Sequence, residues 1–317
     1  MNCSTLDGTA VNRAWLGDYS LKKRGSILSQ IYPNGEFSLG LSNSVKSHNK
    51  PPKPSDVRER RGKGITAKAR RMVRSALFWL QWRWCKWNLS FLTCTLPSLC
   101  SAHMTKATTK WGEITRRYKQ ELERELERSG LDGEVVLVTE IQEERYRETG
   151  VIAPHLHIVF RGRKSHGDDW AVSKERAREL WENVLSAVLK QRIEAPASTR
   201  IESIRKSVEN YLSKYMSKGG EIIKEIVTNG DKDKLPPAWW GMTNTLRSRV
   251  KASCRQLSTD AKNILYDQRE ELKQRGIIKW FHIITVDLVQ THGEVLTVPV
   301  AMVGKLSNPK KYADMFC

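Results

Sequence analysis

Two histidines separated by one residue are the first candidates for chemistry in this sequence. His155 and His157 lie in the segment PHLHIVFRG, residues 154–162, whose alternation of residue types predicts a β-strand. Because side chains alternate along a strand, both imidazoles leave one face while Leu156 and Ile158 leave the other. Neutral imidazole is a common ligand of divalent metal ions, and two on one face can share an ion. The alternative is a pair of strand histidines that bind no metal.

A carboxylate on the preceding strand pattern would complete a metal site. Glu140 ends the segment EVVLVTE, residues 134–140, and would face the histidines if the two strands pair antiparallel. Glu143 and Glu144 are the fallback candidates. Two imidazoles and one carboxylate leave coordination positions for water and a phosphate oxygen, as phosphoryl transfer requires. We therefore predict a site for Mg²⁺ or Mn²⁺.

A tyrosine pair and a lysine pair share one face of a predicted helix. Tyr211, Lys214, Tyr215 and Lys218 stand at positions i, i+3, i+4 and i+7 of ENYLSKYMSKGG. Tyrosines at this spacing often pack in a core, but a buried face would not include two ammonium groups. A helix facing a phosphodiester could use phenol as nucleophile and lysine to offset developing charge. A phenol has a pKa of about 10, so attack at neutral pH needs local help in losing its proton.

The rest of the sequence predicts the elements that position these residues. The segment SFLTCTLPS, residues 90–98, is a strand pattern that places Thr93 and Thr95 on one face. Two further strand patterns at 134–142 and 154–162 look like an antiparallel pair, and the chain ends in a hairpin pattern. Helical periodicity is present from Thr66 to Trp84 and over 108–128, 173–192, 201–218 and 244–274. The mixture predicts an α+β fold.

Four tryptophans crowd the end of the first predicted helix, at positions 79, 82, 84 and 87. Tryptophans interleaved with arginine could stack on single-stranded bases. Packing of the helix end against a sheet is the interpretation that we favour.

Three segments, in this order along the chain, strongly resemble motifs 1, 2 and 3 of the HUH endonucleases: FLTCTLPS (91–98), HLHIVF (155–160) and YLSKYMSK (211–218). The tyrosines follow the histidines, which is the order found in replication initiators of that family. The presence of two tyrosines, Tyr211 and Tyr215, resembles the two-tyrosine initiators of small phages and plasmids. The segment PAWWG (237–241) also looks like that group. The connection from Glu140 to His155 is longer than the family pattern leads us to expect.

The resemblance implies an antiparallel five-stranded sheet with flanking helices, a metal held by His155, His157 and Glu140, and nucleophiles at Tyr211 and Tyr215. It also implies an enzyme that nicks one DNA strand at a replication origin, stays bound to the 5′ phosphate and leaves a 3′ hydroxyl that primes synthesis. Thr93 and Thr95 would support the site or contact DNA. We assign the basic side chains after the histidines, Arg161 and Arg163, to DNA binding as well.

Charge and composition agree with a polyanionic partner. The 317 residues include 54 Lys and Arg against 35 Asp and Glu, a net charge of +19. No apolar run is long enough to span a bilayer, so we expect no membrane partner. Six scattered cysteines without a CxxC pair suggest reduced thiols and a location in the cytoplasm, here of a bacterial host. No phosphate-binding loop of an ATPase is present, which implies a host helicase, DNA polymerase and single-strand-binding protein as partners.

Three regions follow from these patterns. We expect a basic, largely disordered leader over 1–65, an endonuclease domain over 66–225, and a C-terminal helical segment with a small β hairpin over 226–317. The basic residues of 46–74 form either a solvated linker or an arm that contacts phosphates.

Other functions compete with a nickase. A zinc hydrolase and a cytidine-type deaminase are disfavoured, because neither HExxH nor a PCxxC pair occurs. An HUH-type transposase and a noncatalytic basic nucleic-acid-binding protein remain as alternatives. The latter would bind DNA without metal and never become covalently joined to it.

Overall fold

A computed structural model describes residues 29–40, 64–204, 208, 212, 215–216, 220–289 and 295–312. The described residues form an α+β structure with two antiparallel sheets of five strands each, which confirms the predicted fold class. The chain divides into two compact units, one formed by Pro54–Arg249 and the other by Met1–Lys53 with Val250–Cys317.

The strands, numbered along the chain, are β1 (Gln30–Ile31), β2 (Glu36–Gly40), β3 (Leu89–Thr95), β4 (Val135–Ile141), β5 (Pro154–Arg161), β6 (Thr199–Ser203), β7 (Trp240–Met242), β8 (Arg255–Gln256), β9 (Ile278–Val289) and β10 (Val295–Leu306). One sheet has the order β6-β3-β5-β4-β7 and the other β8-β1-β2-β10-β9. The first sheet contains the predicted site and is called the central sheet below.

The helices are α1 (Ala67–Trp84), α2 (Ser101–Thr109), α3 (Trp111–Arg128), α4 (Glu143–Thr149), α5 (Lys174–Leu189), α6 (Gly220–Thr228), α7 (Asn244–Ala252), α8 (Thr259–Asp267), α9 (Arg269–Gln274) and α10 (Pro309–Tyr312). Residues 208, 212, 215 and 216 are also helical. Side-chain caps begin several of these helices: the Thr66 hydroxyl accepts from the amide of Ala69, and the Ser173 hydroxyl accepts from that of Arg176.

One face of the central sheet is closed by α3 and α5. Trp111, Tyr118 and Trp181 are fully buried there and meet edge to face. Their polar atoms have partners: the Trp111 indole donates to the Thr139 hydroxyl at 2.9 Å, and the Tyr118 hydroxyl donates to the carbonyl of Ala177 at 3.0 Å. This layer fixes the positions of β3, β4 and β5, and therefore of the residues on their other face.

The other face of the central sheet is partly covered by α1. Near its end, the indole nitrogens of Trp79 and Trp84 both donate to the carboxylate of Glu134, which is buried beside the start of β4. Arg249 forms an ion pair with the same carboxylate. Because two indoles and one guanidinium all donate to this buried carboxylate, it anchors the end of α1 to the sheet.

The structure differs from the sequence prediction after α5. Residues 201–203, predicted as the beginning of a helix, lie in β6, which pairs with β3 as an edge strand. The ladder with β3 provides backbone partners, and Ile201 packs against the core beneath α5. Gly220 is the first residue of α6, whereas Gly219, the other predicted helix stop, lies outside the described residues. The predicted helix over 244–274 is divided into α7, α8 and α9, with β8 between the first two.

The expected leader is folded over residues 29–40, where β1 and β2 pair with β8 and β10. Phe37 and Leu39 are buried in the same cluster as Leu265 and Met302 from the end of the chain. A five-residue strand shows too little periodicity for detection in sequence, and its partner is supplied from more than 250 residues away. The predicted C-terminal hairpin is confirmed as β9 and β10. The first of the two compact units ends at Arg249, and the predicted domain limit at residue 225 stays a prediction.

The rest of the expected leader, residues 1–28 and 41–63, lies outside the described residues. None of the helices in the described ranges combines the length and the apolarity needed to cross a bilayer.

A candidate metal centre on the central sheet

The register of three neighbouring strands brings the predicted ligands together. Glu140 of β4 lies directly opposite His155 of β5, and His155 lies opposite Thr95 of β3. One step along the strands, His157 lies opposite Thr93. Because directly paired residues project to the same face, all five side chains share the face opposite the α3 and α5 layer.

The three candidate ligands form a compact cluster. One ligand atom each from Glu140, His155 and His157 lie within 4.8 Å of one another. The Nε2 atom of His157 is 2.7 Å from a carboxylate oxygen of Glu140, and its Nδ1 atom is 3.2 Å from the hydroxyl of Thr93. With a cation on the Nε2 side, the imidazole proton belongs on Nδ1, where the Thr93 oxygen can accept it.

His155 has the properties of a ligand without a partner. Burial lowers the pKa of its imidazole to about 4, with the neighbouring His157 and Arg145 acting in the same direction and Glu140 opposing them. The imidazole is therefore neutral at physiological pH and has a free lone pair. Its Nε2 atom is buried and has no hydrogen-bond partner. Buried polar atoms are nearly always satisfied, so this one points to a missing ligand.

The cluster fits a divalent cation better than a self-contained hydrogen-bond network. A direct contact between His157 and Glu140 would satisfy those two groups alone and leave His155 unsatisfied. A cation bound by all three satisfies every group. Both histidines and the carboxylate are suitable for Mn²⁺, and the carboxylate with water suits Mg²⁺.

Tyr215 is the predicted nucleophile that the structure places at this cluster. Its ring stacks on the imidazole of His157, with centroids 3.7 Å apart and planes 20° apart. The ring of Phe91, two residues before Thr93 on β3, lies 5.9 Å from the Tyr215 ring at an angle of 17°. The neighbouring helical residues Leu212 and Met216 are buried. Tyr211, Lys214 and Lys218 lie outside the described residues.

Arg161 and Arg163 lie away from the cluster. Arg161 is four residues beyond His157 on β5, a distance of roughly 13 Å along a strand. Its guanidinium lies 3.6 Å from the centre of the Trp84 ring and donates to the carbonyl oxygens of Arg163 and Lys164. Arg163 donates to the carbonyl of Trp87. Both side chains therefore hold the connection after β5, and their assignment to DNA binding stays a prediction.

The long connection between Glu140 and His155 is mostly a helix, which sequence reasoning missed. Helix α4 has only seven residues and ends at Gly150, whose φ of 68° is left-handed. Such a short helix has too few turns for a recognisable periodicity. Glu143, a fallback ligand, instead forms an ion pair with Arg147 at 2.6 Å on this helix. Neither Glu143 nor Glu144 belongs to the cluster.

Comparison with known proteins assigns no family to this chain. No family model, curated protein or solved structure matches it. Its activity must be inferred from the chemistry of its own residues: three ligand atoms that converge on one point, and a phenol stacked on one of the ligands.

Proposed function

We propose that this protein is a metal-dependent DNA nickase and strand transferase of the HUH type, which initiates rolling-circle replication. The observation that carries the proposal is the stacking of the Tyr215 ring on the imidazole of His157. The Nε2 atom of the same imidazole is 2.7 Å from a carboxylate oxygen of Glu140. A phenol stacked on one of the three ligands would lie close to a phosphodiester whose charge a metal ion bound by them would stabilise. The order of the three sequence segments supports the same activity.

In the proposed reaction, the phenolic oxygen of Tyr215 attacks phosphorus. A bond forms between that oxygen and phosphorus, and the bond from phosphorus to the 3′ oxygen breaks. The phenol proton is lost to solvent, and the departing 3′ oxygen takes up a proton to become the 3′ hydroxyl. The product is a 5′-phosphotyrosyl ester, which keeps the energy of the phosphodiester and allows a later transfer to another strand.

The residues of the site divide this work. His155, His157 and Glu140 would hold Mg²⁺ or Mn²⁺, which supplies Lewis-acid stabilisation of charge on the phosphate when bound. Thr93 orients His157 through the hydrogen bond to Nδ1. Phe91 and His157 fix the plane of the Tyr215 ring, so that little freedom is lost when the phenol meets its target.

The partners follow from the reaction. The substrate would be single-stranded DNA at a replication origin, and the net charge of +19 favours its binding. Host helicase, DNA polymerase and single-strand-binding protein would extend the 3′ hydroxyl, in the cytoplasm of a bacterial host. A transposase of the same chemistry is the nearest alternative, and it would join the cleaved end to a second DNA molecule instead of supporting synthesis.

Covalent capture tests the proposal directly. The full chain is incubated with end-labelled single-stranded DNA from its own replicon and Mn²⁺ or Mg²⁺, followed by denaturing electrophoresis. We expect a slow, protease-sensitive band that disappears with EDTA. Salt-sensitive binding without such a band would overturn the proposal and favour the noncatalytic basic nucleic-acid-binding protein.

Helix α4 brings an arginine to the site, and a matched pair of variants tests its role. Arg145 is five residues after Glu140, and its positive charge acts on His155. Within the described parts of the chain no carboxylate forms an ion pair with Arg145, whereas Arg147 is paired with Glu143. The unpaired guanidinium is suited to a phosphate oxygen of the bound strand.

We expect Arg145→Gln to slow single-turnover cleavage by about 10- to 100-fold, because hydrogen bonds to charged groups contribute about 1.5–3 kcal/mol. Arg147→Gln on the same helix should cleave at the wild-type rate. Equal rates for the two variants would remove Arg145 from the site.

A further inference from the structure

Two tryptophans near the end of α1 are exposed, contrary to the packing that we favoured from sequence. The exposed fractions of Trp82 and Trp87 are 53% and 45%. Among the described residues, Ile264 in the other unit is the one further large apolar side chain that is exposed to a similar degree, at 40%. Leaving two indoles in water forgoes a large burial free energy, so an exposed pair on one short segment indicates a binding surface.

The backbone that bears these indoles is firmly held. The carbonyl of Trp87 accepts two hydrogen bonds from Arg163, at 3.0 and 2.8 Å. The side-chain amide of Asn88 donates to the carbonyl of Trp84 at 3.0 Å, and the Trp84 indole is anchored on buried Glu134. The rings are therefore presented by a rigid segment, and ordering them on a ligand costs little entropy.

One cation stands beside the exposed Trp87 ring, and another stands beside the neighbouring Trp84 ring. The ammonium of Lys86 lies 4.4 Å from the centre of the Trp87 ring, and the guanidinium of Arg83 lies 4.4 Å from that of Trp84. We call Trp82, Arg83, Lys86 and Trp87 the indole patch.

The indole patch lies at the opposite end of β3 from the metal centre. Trp87 lies two residues before β3, which begins at Leu89, and Leu89 is four residues, or roughly 13 Å of strand, before Thr93, which faces His157. A ligand that reaches both must be long, and the cations Arg83 and Lys86 favour one that is polyanionic. Planar aromatic faces with adjacent cations are the pattern by which proteins bind unpaired bases and their phosphates.

We propose that the indole patch binds single-stranded DNA, with Trp82 and Trp87 stacking on unpaired bases and Arg83 and Lys86 contacting phosphates. This inference rests on the proposed function, because it takes the strand that is cut at the metal centre to be the strand that reaches the patch. Unpaired strands are favoured over duplex DNA, whose bases are already stacked on one another. The patch would hold the strand outside the nick site and so determine how much flanking single strand the protein requires.

The test compares variants of the full chain in the binding of oligo-dT of about 16 nucleotides, the upper range for stacking platforms. We expect Trp82→Ala with Trp87→Ala to weaken binding by at least about 30-fold, since each of the two stacked bases contributes about 1–3 kcal/mol. Trp82→Phe with Trp87→Phe should retain most of the affinity, because phenyl rings still stack. Ile264→Ala is the matched control and should bind like wild type.

Two results would overturn this inference: unchanged affinity of the double alanine variant for oligo-dT, or an equal loss of affinity for duplex DNA of the same length. The inference and the proposed function can fail separately. If the double alanine variant loses oligo-dT binding but the wild-type protein never forms a covalent adduct, the role of the patch is supported and the nickase proposal is refuted. A double alanine variant that forms a normal adduct and binds oligo-dT like wild type would refute the role of the patch and leave the nickase proposal intact. Thermal unfolding of each variant verifies that these exposed substitutions leave the fold intact.

Discussion

Replacing His157 with alanine is expected to abolish metal-dependent cleavage while leaving DNA binding at low salt unchanged. The imidazole is 2.7 Å from Glu140 and stacked on Tyr215, so its loss removes a ligand and a support of the nucleophile together. Lewis-acid catalysis contributes several kcal/mol to transition-state stabilisation, so we expect the rate to fall by at least about a thousandfold. Binding arises from the Lys and Arg charge, which the substitution does not touch.

Two measurements check this expectation. Titration with Mn²⁺, followed by electron paramagnetic resonance, reports the occupancy of the site independently of activity, and His157→Ala should lose the bound signal. Thr93→Val is the matched control: it keeps all three ligands but removes the hydrogen bond to Nδ1, and should weaken metal affinity or activity by only about 10- to 100-fold. Cleavage by His157→Ala at the wild-type rate would eliminate the metal centre from the mechanism.

Tyr215→Phe is expected to eliminate the covalent adduct formed at position 215 while leaving the metal centre intact. Phenylalanine keeps the ring that stacks on His157 and Phe91, so only the nucleophilic oxygen is lost. Because a phenyl ring has no atom that can attack phosphorus, the adduct at this position should fall below detection. Peptide mapping of the DNA-linked protein measures this, and Mn²⁺ titration should show unchanged affinity.

Tyr211→Phe is the companion variant. If two phenols carry out two successive transfers, each single variant impairs a full round of replication, and the double variant forms no adduct. Full replication activity in the double variant would refute both nucleophile assignments. An adduct that maps to another residue in Tyr215→Phe would show which phenol can replace it.

Much of the candidate site could be predicted from sequence because its signals are local. The alternation of side chains along a strand places His155 and His157 on one face whatever the rest of the chain does. The apolar periodicity of 134–142 and 154–162 was sufficient to predict β4 and β5, and the helical periodicity of 108–128 and 173–192 predicted α3 and α5. Spacing on a helix likewise singled out Tyr215 as a candidate nucleophile.

Other features required the tertiary structure because they depend on contacts between distant residues. Sequence could not fix whether Glu140 or a later glutamate joins the histidines, since the register of β4 on β5 depends on how α4 bridges them. It missed β6, whose partner β3 is over 100 residues earlier in the chain.

Periodicity also could not distinguish tryptophans that anchor α1 on Glu134 from those that stay exposed. The sequence by itself determined which chemistry this protein offers, because residue type and local spacing are written in it. Only the tertiary structure decided which of these groups meet, because pairing register and burial are set by the whole fold.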